Sequence, residues 1–279
     1  MISSPSHLLK RAAIAQLCSG SSKMKNLLDI AKCAGWARRE GASMLFLPEG
    51  LGFLGNNAEE TVLNAEPELM TLQHSHSTTD SLEVWWCKML AQTFHTHATE
   101  SLSSSMTDMS SNLSSSSDVD HHTFASCIEL IQNKNISIIR GLQTIAKESG
   151  LWISGGGIHI QEEPNVDSKV NQSARVFNTH IIMNHEGDIV ASYRKIHLFE
   201  VSIPAQNLRF KESSYTAPGN KIVVCSSPIG MLGLSTCFDV RFPELYHELR
   251  NAGADILLVP SAFTVPTGQA HWHTLLKGK

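Results

Sequence analysis

Ten of the seventeen residues from Ser101 to Ser117 are serine. Such a stretch cannot bury enough apolar surface to offset the entropy of ordering it. Whatever core this chain builds must therefore be assembled from the sequence on either side. The polar character extends from about Gln73 to Asn135 and takes in the pairs His74/His76, His95/His97 and His121/His122. Paired histidines invite a metal reading. No carboxylate or cysteine accompanies them at ligand spacing, so they read as a solvated loop. Within the insert, Ser81 to Phe94, with Trp85 and Trp86, is predicted to form a helix.

The flanks are strongly patterned. Ala12 to Cys18 reads as a strand. Met24 to Arg39 carries apolar residues at 24, 27, 28, 31 and 34, which is helical spacing. Ser43 to Leu47 is a short continuous apolar run closed by Pro48-Glu49-Gly50, as in a buried strand stopped by a breaker. Beyond the insert, Ile138 to Ser149 is a helix ended by Gly150. A strand then starts at Leu151-Trp152-Ile153-Ser154 and is followed by three glycines and Ile158-His159-Ile160. Phe177 to Met183 and Ile189 to Tyr193 flank Asn184-His185-Glu186-Gly187-Asp188, a hairpin pattern. Lys221 to Cys225, Ile229 to Thr236 and Ile256 to Val259 are further strands. Pro243 to Asn251 is a helix with proline in its first turn and Gly253 beyond its end. Strands that alternate with helices, some of them joined by hairpins, predict a mixed-sheet α/β sandwich. The sequence stops at Lys279 just after a helix expected to begin near His271, an odd place for a domain to finish.

Composition narrows the partners. A formal charge of -4 and a pI near 6.4 give no electrostatic case for nucleic acid or for an anionic membrane. No apolar run approaches the roughly 20 residues that a membrane helix needs. Met1 to Arg11 is weakly basic and free of acids, a faint transit-peptide signature, so the cytosol is the expected compartment and mitochondria the second reading. The six cysteines, at 18, 33, 87, 127, 225 and 237, form no C-x-x-C pair and read as free thiols in a reducing compartment.

One of those thiols is differently placed. In Met231-Leu-Gly-Leu-Ser-Thr-Cys237 an apolar strand runs into a cysteine, and a helix starts about six residues later. The carboxyl end of a strand is where α/β sheets hold ligands, and the backbone N–H groups of the next turn can face a developing oxyanion. Alone, Cys237 is more commonly a small core residue than a nucleophile. Glu49 and Lys195 also follow buried strands. A carboxylate can take a thiol proton, and an ammonium can favour thiolate and then the tetrahedral oxyanion. Ordinary loop charges are the other reading, because sequence does not bring the two within reach of each other.

Leu47-Pro-Glu49, Tyr193-Arg-Lys195-Ile-His-Leu-Phe and Cys237-Phe-Asp-Val-Arg-Phe-Pro-Glu-Leu resemble, in order, the three signature blocks of the nitrilase (carbon–nitrogen hydrolase) superfamily. Asn251-Ala-Gly-Ala-Asp-Ile-Leu and Pro260-Ser-Ala-Phe…Thr267-Gly-Gln-Ala-His271-Trp272 extend the last block. The resemblance covers residues 12–70 and 136–279, which makes 12–279 one domain interrupted at about 73–135. It implies a four-layer αββα sandwich in which Glu49 is the general base, Lys195 the oxyanion-stabilising cation and Cys237 the nucleophile. Glu212, in Phe210-Lys-Glu-Ser, falls where the family often has a second glutamate, and would position Lys195 or the reacting amide. The backbone N–H of Phe238 would be the oxyanion donor. Arg241 would bind a substrate carboxylate in two-pronged fashion or form a structural ion pair.

Phe46-Leu-Pro-Glu-Gly-Leu-Gly-Phe-Leu-Gly55, Glu200-Val-Ser-Ile-Pro204 and Arg241-Phe-Pro-Glu-Leu are similar to the Nit branch, the deaminated glutathione amidases. The implied reaction is hydrolysis of a small linear amide through a thioester, with no metal or organic cofactor and with homo-oligomers as the expected assembly. For deaminated glutathione the products would be 2-oxoglutarate and cysteinylglycine. Another amidase of the family, such as an ω-amidase, is the enzymatic alternative. Because the family continues past His271-Trp272, a C-terminally truncated, non-catalytic chain that acts by binding is the other.

Overall fold

A computed structural model describes residues 10–55, 57–67, 137–161, 176–203 and 208–278. The serine-rich segment, its histidine pairs and the helix expected over Ser81 to Phe94 lie outside the described residues.

The first strand, β1 (Arg11–Ile14), leads to helix α1 (Lys23–Arg39). The α1 start is set by Ser22, whose hydroxyl accepts the Lys25 N–H. Met24, Leu27, Ile30, Ala31, Ala34 and Ala37 form its buried stripe, and Arg38 and Arg39 sit at the negative end of its dipole. Strand β2 (Ala42–Leu47) is next, followed by the short helix α2 (Ala58–Leu63), capped by Asn57. After the insert come helix α3 (Ile138–Ser149) and the strands β3 (Trp152–Gln161), β4 (Val176–Met183) and β5 (Ile189–Arg194). Gly150 ends α3 at φ 67°, a left-handed conformation that costs glycine little.

These five strands form one sheet in the order β1-β2-β3-β4-β5, parallel from β1 to β3 and antiparallel from β3 to β5. A hairpin, β6 (Glu200–Ile203) and β7 (Leu208–Lys211), follows. A second sheet joins β8 (Val224–Ser227), β9 (Gly230–Leu234) and β10 (Ile256–Leu258) in the order β10-β9-β8. Helix α4 (Pro243–Asn251) lies between β9 and β10 in sequence, and helix α5 (Val265–Lys277) comes last.

The side chains of β2 show why the layers stack as they do. Leu45 and Leu47 point into a core shared with α1 and α3, while Met44 and Phe46 point into a core shared with the second sheet. A strand covered on both faces must be apolar at successive positions, which explains the continuous run. On the far side of the second sheet, Leu245, Tyr246 and Leu249 of α4 pack against Val224 and Val259. The order of layers is thus α1 and α3, five-stranded sheet, three-stranded sheet, α4: an αββα sandwich. A buried polar clamp joins the sheets. His180 of β4 is fully buried, with Nε2 2.8 Å from the Ser154 hydroxyl and Nδ1 3.0 Å from the Ser235 carbonyl. Neutral imidazole protonated on Nδ1 satisfies both contacts.

Several boundaries differ from expectation. Strand β1 ends at Ile14 rather than Cys18, because β2 offers ladder partners only as far as Phe46. Trp152 to Gln161 is a single strand that crosses all three glycines, with a shift of register between Gly155 and Gly157. The last helix starts at Val265, well before His271, with Thr264 capping the Thr267 N–H and Pro266 in the first turn. The β6–β7 hairpin and α2 are elements that the patterning did not reveal.

Candidate active site

Three strand ends converge. Glu49 follows β2 by two residues, Lys195 follows β5 directly, and Cys237 follows β9 after Ser235 and Thr236. What lets Glu49 reach its place is the glycine run in β3. A Cβ on Gly156 would fall 2.0 Å from the Pro48 carbonyl oxygen, and one on Gly157 3.0 Å from Glu49 Cγ. The bare backbone of β3 therefore lets the segment 48–50 lie directly against it, held by a Gly50 N–H to Gly157 O bond of 2.9 Å.

Lys195 is 2% exposed. Its ammonium lies between two carboxylates, 3.1 Å from Glu49 Oε1 and 3.0 Å from Glu212 Oε2. Glu212, in a 3-10 turn after β7, is equally buried and accepts the Phe199 N–H at 2.6 Å. Glu49 Oε2 accepts the Ala262 N–H at 3.1 Å, and the Cys237 thiol points toward the Ala262 carbonyl oxygen at 3.9 Å, so both side chains meet at Ala262. Four of the six expected residues, Glu49, Lys195, Glu212 and Cys237, thus form one cluster. Phe238 lies in the 3-10 turn Cys237–Arg241, and its ring packs edge-on against Phe199 and Phe242. The Arg241 guanidinium sits 5.5 Å over that ring, and among the described residues no carboxylate pairs with it.

Cys237 has φ 48°, the one non-glycine among the described residues in the left-handed region. A strained backbone at this point turns the chain sharply from strand into 3-10 turn. The Cys237 N–H holds the Pro260 carbonyl at 2.9 Å.

Two residues outside the expected set organise the cluster. Asn178, on β4, donates from Nδ2 to Glu49 Oε1 at 2.9 Å and to Glu212 Oε1 at 3.3 Å. Asp239, with no exposed surface, accepts from Tyr193 Oη (2.7 Å), the Thr236 N–H (2.8 Å), and the N–H and Nδ1 of His197 (3.0 and 2.7 Å). It thereby ties the stretch that bears Lys195 to the turn that bears Cys237. Asp239 lies inside the third signature block, so its presence there was a signal. Asn178 lies in a fully buried strand, where the polar run Asn178-Thr179-His180 is the only sequence hint.

The charges settle as follows. Burial opposes a charge on Glu49, but the Lys195 ammonium and hydrogen bonds from Cys237, Lys195 and Asn178 outweigh it, leaving the carboxyl below its ordinary value. Burial likewise opposes charge on Lys195, and the two carboxylates overcome it, so the ammonium is held more tightly than usual. Burial and the Glu49 charge push the Cys237 thiol well up, against the pull of Lys195. At rest, therefore, a Glu49 carboxylate and a Lys195 ammonium stand beside a neutral Cys237 thiol. The expected thiolate-favouring effect of the lysine loses, at rest, to burial and to the carboxylate beside it. Such a thiol attacks only as its proton passes to Glu49.

Fold and site place the chain among α/β sandwiches that gather a thiol, an ammonium and carboxylates at strand ends. The chain belongs to the carbon–nitrogen hydrolase family, whose profile, "Carbon-nitrogen hydrolase", matches residues 11–279. Among similar proteins, a deaminated glutathione amidase of Dictyostelium discoideum is 47% identical over 144 residues, covering 51% of this chain and 47% of its own length. One from Mus musculus is 32% identical over 280 residues, covering 100% of this chain and 64% of its own. The chain thus spans about half to just under two thirds of the length of these curated relatives. The crystal structure of the Caenorhabditis elegans NitFhit protein matches with a TM-score of 0.60 at 27% identity, over 96% of this chain and 47% of that one. Saccharomyces cerevisiae Nit3, of branch 10 of the nitrilase superfamily, shares the fold with a TM-score of 0.59 at 23% identity, over 96% of this chain and 69% of its own. Among the described residues, no helix is long and apolar enough to cross a membrane.

Proposed function

We propose that this chain is a cysteine-nucleophile amidase that hydrolyses a small linear amide through a thioester. The observation that supports the proposal is the convergence of the three groups: Glu49 pairs with the Lys195 ammonium at 3.1 Å and meets Cys237 at Ala262, whose N–H it accepts and whose carbonyl the thiol faces. In the first half-reaction the Cys237 sulfur attacks the amide carbonyl carbon while its proton moves to Glu49. The oxyanion faces Lys195 Nζ and the Phe238 N–H. Collapse expels the amine, which takes the proton back from Glu49. In the second, Glu49 accepts a proton from water as the water attacks the thioester, and the carboxylic acid leaves as the Cys237 thiol is restored. Glu212 keeps Lys195 in place, and no step calls for a metal or an organic cofactor.

The substrate is deaminated glutathione, yielding 2-oxoglutarate and cysteinylglycine; the names carried by relatives at 32–47% identity support it. Arg241, which pairs with no carboxylate among the described residues, is the candidate to bind a substrate carboxylate. Residues 12–279 are read as one domain interrupted at about 73–135, in a cytosolic homo-oligomer. The described cysteines, all free thiols, fit a reducing compartment. The test is incubation with deaminated glutathione and with α-ketoglutaramate, followed by mass spectrometry. Turnover of the first, absent in Cys237→Ala, is expected. Preference for the second would move the assignment to an ω-amidase, and a folded wild type inert toward both would overturn the amidase reading.

A further inference from the structure

Asn178 touches every charged member of the cluster. It is 3% exposed, and besides donating to Glu49 and Glu212 it accepts the Lys195 N–H on its backbone carbonyl at 2.8 Å. Lys195 alone must serve two carboxylates, so the three side chains carry a net charge of about -1. Asn178 adds two N–H dipoles to that pair without adding charge. Its orientation is dictated, because a flipped amide would turn Oδ1 toward both carboxylates. As placed, Oδ1 has no hydrogen-bond partner and faces Gly157, where a Cβ would fall 2.3 Å away. A buried acceptor left unsatisfied in this way costs stability, and the two donations recover it.

The consequence falls on Glu49. Its Oε1 is occupied by Lys195 and Asn178 together, while Oε2 is turned to Ala262, the residue whose carbonyl also meets the Cys237 thiol. We propose that Asn178 is a positioning residue: it holds Glu49 Oε1 so that Oε2 is the oxygen that exchanges a proton with Cys237. This rests on reading Cys237 as nucleophile and Glu49 as base. The groups that face this carboxylate are Lys195 from the end of β5, Glu212 and Tyr215 from the turn after β7, His159 from β3, and Cys237. Of these, burial holds His159 at about 4, while Lys195, Tyr215 and Cys237 all keep their protons to higher pH than usual, so none of these four changes charge near neutrality.

The test compares wild type with Asn178→Asp and Asn178→Ser in two measurements. The first is the pH dependence of Cys237 alkylation by iodoacetamide, read by mass spectrometry; the second is the pH profile of amide hydrolysis, with kcat separated from KM. Asn178→Asp is expected to move alkylation to higher pH by about one unit or more, since it adds a like charge. Asn178→Ser, which keeps a donor in less volume if the aspartate variant does not fold, is expected to raise the acid limb of kcat/KM. Its kcat should fall by about 100-fold with KM nearly unchanged, the effect of a misplaced base. A folded Asn178→Ser protein with wild-type kcat and an unmoved acid limb would overturn the inference. Should wild type hydrolyse no amide while the variants still shift alkylation, the amidase reading fails and the role of Asn178 stands.

Discussion

Gly156 and Glu49 set the terms at the scale of single residues. A methyl group on Gly156 meets backbone, not a yielding side chain, so Gly156→Ala should cost about 3 kcal/mol, measured as a lower denaturation midpoint in urea. Glu49→Gln separates chemistry from reactivity. Removing that charge leaves Lys195 as the nearest charged influence on the thiol, so alkylation of Cys237 should move to lower pH. Amide turnover should nonetheless fall by about 100- to 10,000-fold, because the base is gone. A variant that is more readily alkylated yet less active is the expected signature; parallel loss of both would count against Glu49 as the base.

At the scale of elements, the site depends on how turns are fastened to strands. Asp239 takes four hydrogen bonds from Tyr193, Thr236 and His197, whose ring stacks on Phe242 at 3.7 Å. Asp239→Ala leaves the Thr236 N–H and the Tyr193 hydroxyl buried without an acceptor and should cost about 3–5 kcal/mol. Asp239→Asn keeps one acceptor oxygen and should cost less, a ranking that thermal melts of the two variants would check. Most of the elements were legible. Helices α1, α3 and α4 announce themselves through period and caps, β2 through a run apolar on both faces, and β4 through the hairpin pattern that joins it to β5. What escaped has a common cause. The β6–β7 hairpin has four residues in each strand, too few for the alternation of Val201 and Ile203, or of Leu208 and Phe210, to stand out from chance. Likewise α2 buries no residue, and nothing marks an apolar stripe.

For the whole molecule, the seam between the sheets makes stability depend on pH. Burial holds His180 and His159 at about 4, below the usual value of 6.5, so both are neutral in the folded protein at pH 7. Between about 6.5 and about 4 the unfolded chain binds these protons and the folded one does not, so stability is present above that window and is lost as pH falls through it. His180 alone contributes up to about 3 kcal/mol of that loss. Urea midpoints at pH 7 and pH 5 should show the decline, and His180→Asn should flatten it. Sequence alone determined most of the strands and helices and placed Glu49, Lys195 and Cys237 at strand ends, because period, caps and breakers act within a few residues. It also determined the family blocks that hold Glu49, Lys195 and Cys237. Tertiary structure alone decided that the three meet, that Asn178 and Asp239 brace them, and that the thiol rests protonated. Those outcomes depend on burial and on distances between atoms up to 213 positions apart in the chain, and no local pattern encodes them.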